Sequence, residues 1–141
     1  MSGKKYICLF CIIVLSGLLF CSNPAKEDSK KQRVRLLVDD VFDETGRYTF
    51  YWDGKDDNKK YVEPGRYIYA MQTKEYDSWE YITVKAGGKT GVNNEEHFEP
   101  GFWNSFELEA AYPNPFELQS GANIPFLVSE TARVKIIIYK E

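Results

Sequence analysis

TFYWDGKDDNKKYVEPGRYIYAM, residues 49 to 71, reads as two strands with a polar turn between them. Tyr48, Phe50 and Trp52 alternate with Thr49 and Tyr51, and beyond Glu63-Pro64-Gly65 the residues Tyr67, Tyr69 and Met71 alternate with Ile68 and Ala70. A period of two sends successive side chains to opposite faces of an extended chain, and aromatic and β-branched residues suit a pleated, half-buried surface. Asp53-Gly54-Lys55-Asp56-Asp57-Asn58 then reads as a turn, because glycine accepts left-handed backbone and Asp and Asn hydrogen-bond to their own main chain. Trp52, Asp53, Gly54 and Gly65 are the expected turn-defining residues of this stretch.

Outward from it, the same extended pattern recurs at Arg33 to Val38, Trp79 to Lys85, Phe106 to Glu109, Asn123 to Val128 and Arg133 to Tyr139. No run of a dozen residues shows helical spacing with caps. The expectation is an all-β fold: an antiparallel sandwich of about seven strands over residues 34–141, with a long loop at 86–111. Pro125 cannot donate to a ladder and is predicted at an edge or a strand start. A composition of 43% hydrophobic and 16% aromatic residues suits one modest packed core and argues against disorder.

The charge balance, 18 Lys+Arg against 21 Asp+Glu, is mildly acidic and speaks against a nucleic-acid partner, which rewards clustered cations. All three cysteines, Cys8, Cys11 and Cys21, precede the strand pattern, so the folded part has no disulfide framework, cysteine nucleophile or cysteine-rich zinc site. Lys4 and Lys5 precede an uncharged apolar run from Tyr6 to Phe20, which has the proportions of a secretory signal over residues 1–21. The sequence Leu18-Leu19-Phe20-Cys21-Ser22-Asn23-Pro24 resembles the processing box of bacterial lipoproteins, departing from it at Phe20, where a small residue is usual. The resemblance implies an acylated Cys21, a membrane anchor, and a place at the bacterial outer membrane or cell surface; an uncleaved anchor and ordinary secretion are the alternatives. Residues 22–33, SNPAKEDSKKQR, have no apolar period and read as a flexible tether.

Two stretches resemble one family, in reversed order. Thr49 to Met71, with its Trp-Asp-Gly and Gly-x-Tyr-x-Tyr, is similar to the second half of the Ig-like domain of flagellar hook-capping proteins and related modules of secreted bacterial proteins. AYPNPFELQSGANIPFLVSETARVKIIIYKE, residues 111 to 141, resembles the first half of that module and the start of the C-terminal sorting domain of type IX secretion, through Tyr112-Pro113-Asn114-Pro115-Phe116. The order implies a circularly permuted Ig-like module, with exchange of halves between chains or a remnant sorting signal as rivals. Assembly or adhesion through a protein partner is the implied role.

Candidate chemistry is sparse. Asp53, Asp56, Asp57 and Asn58 invite a calcium reading, but Lys55, Asn58 and Pro64 stand where an EF-hand needs a ligand, a glycine and a glutamate. His97 with Glu96 and Glu99 lacks a second ligand pair, and Ser78, Ser105, Ser120 and Ser129 lack a nucleophile-elbow context. The expectation is therefore a protein that is not an enzyme, without metal or cofactor. Three tryptophans and ten tyrosines exceed the needs of a small core, and exposed rings suit sugars or partner surfaces. Phe102 and Trp103 in the long loop, with Trp79, are the candidate binding residues for a protein or a cell-surface glycan. A strand exchanged with a partner is a further reading, and the sequence leaves the oligomeric state open.

Overall fold

The computed structural model describes residues 31–87 and 96–141. The expected signal at 1–21 with Cys21, the tether residues 22–30, and residues 88–95 of the long connection lie outside the described residues. The strands are β1 (Arg33–Phe42), β2 (Gly46–Trp52), β3 (Gly65–Gln72), β4 (Asp77–Lys85), β5 (His97–Pro100), β6 (Glu107–Leu108), β7 (Phe116–Glu117), β8 (Ala122–Val128) and β9 (Ala132–Lys140). They form a five-stranded sheet in the order β1-β9-β3-β4-β7 and a four-stranded sheet in the order β5-β2-β8-β6. The fold is an all-β, two-sheet sandwich, as expected. Pairing is antiparallel except where β7 runs parallel to β4, with Val84 opposite Phe116.

The alternation places the core between the sheets. Trp52 from β2, Tyr67, Tyr69 and Met71 from β3, Ile82 and Val84 from β4, and Ile136 and Ile138 from β9 meet Phe116, Ile124 and Phe126 there. Ile68, Ala70, Ile137 and Tyr139 have the opposite parity and form a second apolar cluster on the other face of the five-stranded sheet, with Leu36 and Trp79 against it. The Tyr69 hydroxyl accepts from the Ala111 N–H at 2.8 Å and donates to the Glu109 carbonyl at 2.9 Å, tying the chain after β6 to the core. Burial pushes this phenol up to about 12.

Three expectations are corrected. The connection over 86–111 is not one loop: besides β6, which falls within the expected stretch Phe106 to Glu109 and pairs with β8 at Phe126 and Leu127, it contains β5, which pairs with β2 from Gly46 to Thr49. β1 runs on through Asp39 and Asp40 to Phe42, because Asp39 is bound by Arg133 at 2.7 Å and Asp40 accepts the Val41 N–H at 2.8 Å. Pro125 lies inside β8, an interior strand, opposite Thr49. Its carbonyl accepts the Glu109 N–H at 3.0 Å, so its nitrogen also faces the β6 side. The acceptor opposite that nitrogen, the Glu109 carbonyl, takes the Tyr69 hydroxyl at 2.9 Å instead, so the missing N–H leaves it satisfied.

Two open stretches of the five-stranded sheet, the edge strand β1 and the part of β4 that β7 does not reach, are covered by groups that imitate a strand. On β1, the Asp57 N–H donates to the Val34 carbonyl and the Leu36 N–H donates to Asp57 Oδ1, each at 2.9 Å. On β4, the Asn114 amide donates to the Tyr81 carbonyl and accepts from the Thr83 N–H, each at 3.0 Å. An uncovered edge is a template for pairing with another chain. Light scattering of residues 22–141 is therefore expected to give a monomer, and Asn114→Ala a concentration-dependent dimer or larger species. A variant that stays monomeric at high concentration would show that Asn114 does not guard this edge.

Candidate functional site

The strand directions divide the connections between the two ends of the sandwich. Residues 31–33, the 53–64 turn and the 112–121 segment lie at one end; the 43–45, 73–76, 101–106 and 129–131 connections lie at the other. A ten-residue strand rises roughly 33 Å, so the two ends are separated by about that length.

At the first end the acids serve the backbone. Asp53 Oδ1 accepts the Lys55 N–H, Asp56 Oδ1 accepts the Asn58 and Lys60 N–H groups, and Asp57 adds Arg33 at 3.0 Å to its β1 contacts. Asx turns of this kind explain why Asp and Asn crowd the segment. The turn residues of 52–65 and 112–116 meet here. Trp52 stands edge-to-face with Phe116 at 5.3 Å and with Tyr67 at 5.8 Å, and its indole N–H donates to the Lys55 carbonyl at 2.8 Å. Gly54, at φ +78°, fits beneath the Phe116 ring, where a Cβ would come within 3.3 Å. Gly65 opens β3, Tyr112 exchanges backbone hydrogen bonds with Asn123, and Pro113 and Pro115 flank Asn114 at the β4 edge. An open polar cleft of about 390 Å³, lined by Arg33, Asp57, Asn58, Tyr61 and Glu63 among others, lies beside the turn.

At the opposite end an aromatic knuckle projects. β5 is fastened to β2 by four residue pairs and by the Phe98 ring against Tyr48, centroids 4.6 Å apart. Gly46 is required at the first of these pairs, because a Cβ would strike the Glu99 carbonyl oxygen. The Gly101 N–H then donates to the Thr45 carbonyl, and the Trp103 indole folds back over Gly101, its Nε1 only 3.1 Å from where a Cβ would be. Phe102, between them, is 100% exposed; Trp103 is 42% exposed. Phe106 returns the chain to the core beside Tyr76, whose hydroxyl accepts the Leu108 N–H at 3.0 Å. Both ends of the loop are thus anchored, and the exposure of Phe102 follows from the backbone, not from fraying.

The surroundings of the knuckle are predominantly acidic, with Lys74 and Arg133 lining the cleft beside Glu130. Asp43 and Glu44 lie in the β1–β2 turn, Glu99 on β5, Glu107 on β6 and Glu130 in the β8–β9 turn, all exposed. Arg47 reaches across β8 to Glu109 at 2.7 Å; this hydrogen bond, ahead of the charges of Glu109 and Glu99, holds the guanidinium pKa above its ordinary value. Its stem covers Leu127, which is buried on that face. The Tyr48 phenol is likewise raised, by burial first and then by Glu44 and Asp43.

Phe102 and Trp103 are therefore together, but Trp79 belongs to a different surface, on the outer side of the five-stranded sheet. There it meets Tyr81 edge to face at 84°, and the Arg66 guanidinium lies 4.3 Å over the Tyr81 ring. A sugar-stacking platform needs coplanar, open rings, and these two are perpendicular and partly covered. His97 and Glu99 share a face of β5 at 3.5 Å, and no group of three His, Cys, Asp or Glu suited to a metal occurs among the described residues. Sequence reasoning missed the acidic surroundings, because the five carboxylates come from four separate segments and only the topology brings them to one end. Comparison of the chain with protein-family models, with curated proteins and with solved structures finds no match.

Proposed function

We propose that this chain is a non-enzymatic lipoprotein of the bacterial outer membrane or cell surface, anchored through acylated Cys21, that presents a permuted Ig-like module to a protein partner. The observation that carries the binding role is Phe102, wholly exposed on an anchored loop. Leaving such a side chain in water forgoes about 2–3 kcal/mol of burial, a cost that a partner's pocket would recover. The permuted reading is supported by the meeting of Trp52 with Phe116, one from each stretch, and by the start of β1 lying beside the end of β9, where the Lys140 N–H donates to the Gln32 carbonyl at 3.0 Å. Termini that lie side by side are what lets a domain be reopened elsewhere.

One experiment addresses both parts. Cells fed radiolabelled palmitate are expected to yield a labelled full chain that carries a partner through reversible crosslinking. Cys21→Ser should lose the label, whereas Phe102→Ser should keep the label and lose the partner at unchanged melting temperature. Label retained by Cys21→Ser overturns the anchor, and a partner retained by Phe102→Ser overturns the binding surface.

A further inference from the structure

We infer that the partner presents an apolar socket ringed by lysine or arginine, and that it docks end-on, at the end of the sandwich remote from residue 31. This rests on the protein-binding reading and adds to it the chemistry and direction of the partner.

The direction comes from topology. Residue 31 and the start of β1 lie at one end, and Phe102 lies beyond the far ends of β2 and β5. The knuckle therefore stands roughly one strand length from the point where the chain enters β1. The chemistry comes from what surrounds the ring. Glu44, Glu107 and Glu130 make no ion pair with another described residue, while Arg47 is already held by Glu109. Lys74 and Arg133 line the cleft beside Glu130, with Arg133 held by Asp39, and the carboxylates outnumber them. A bulky apolar anchor in a polar, predominantly acidic rim matches the anatomy of an interface whose centre is desolvated and whose rim steers by charge. Cations around the socket would meet these carboxylates. The same carboxylates would be repelled by anionic lipid, and a neutral sugar would donate hydrogen bonds to them but offer no charge to match.

The test places a photocrosslinking benzoylphenylalanine at position 102 of the full chain in its native cell, with a second chain carrying it at position 61. Tyr61 is 47% exposed at the opposite end and serves as the comparison. Expected is a light-dependent adduct of defined mass, protein in nature, from position 102 and not from 61. Glu44→Lys, Glu107→Lys and Glu130→Lys together should lower its yield about tenfold, and the corresponding glutamines by less, with the melting temperature of each purified chain unchanged. An undiminished yield in the folded lysine variant overturns the basic socket and leaves protein binding standing. An adduct from position 61 alone overturns end-on docking. No adduct at either position, or adducts with lipid or polysaccharide only, overturns this inference and the protein-binding reading together.

Discussion

Trp52→Ala is expected to lower the unfolding free energy of the sandwich by about 3–5 kcal/mol, a large part of the ~5–15 kcal/mol typical of a domain. The indole has no exposed surface and is gripped by rings from two other strands, Tyr67 of β3 and Phe116 of β7. Its removal leaves a cavity that these aromatic neighbours cannot close without moving the 112–117 segment. The Lys55 carbonyl also loses its donor. Trp52→Phe separates the two contributions: most of the packing is kept and the hydrogen bond is lost, for an expected cost of about 1–3 kcal/mol. Urea unfolding followed by circular dichroism measures both variants without relying on the tryptophan removed. A loss below about 1 kcal/mol for Trp52→Ala would mean that the two halves are not held together at this contact.

The same contact shows which parts of the fold were legible in the sequence. Trp-Asp-Gly and Tyr-Pro-Asn-Pro-Phe announce themselves through local backbone chemistry, and the period of two fixes which side of β2, β3 and β9 faces the core. Short pairings were less readable. β5 and β7 hold four and two residues, too few for a period, and they exist because β2 and β4 offer them an edge. Pro125 is tolerated inside β8 because the Tyr69 hydroxyl serves the Glu109 carbonyl opposite it, a tertiary fact that local sequence does not carry. Asn114 looked like a turn residue, and its role at the β4 edge depends on Tyr81 and Thr83, more than 30 residues earlier in the chain. For the candidate site, composition and loop length singled out Phe102 and Trp103. What they could not supply was the anchoring of that loop at both ends, or its separation from Trp79.

Gly46→Ala is expected to cost about 1–3 kcal/mol, as overpacking does, and to detach the knuckle from its support. The new methyl group would overlap the Glu99 carbonyl oxygen, which is backbone and cannot rotate aside. β5 would have to move away from β2, loosening the ladder from Gly46 to Thr49 and the contact of Phe98 with Tyr48. β2 would keep its pairing with β8 along its whole length, so the sandwich should remain folded. Hydrogen exchange should therefore quicken in β5 and at the Gly101 amide, while β8 and β9 stay protected. Gly46 itself lies below the exposed ring and would touch no partner seated on Phe102. Loss of the position-102 adduct in a folded Gly46→Ala chain would thus mean that binding needs the rigid presentation of the ring as well as its presence. An adduct undiminished by Gly46→Ala, with β5 exchange shown to be fast, would mean instead that Phe102 can find its socket from a loose loop, and that the anchoring by β5 serves stability alone.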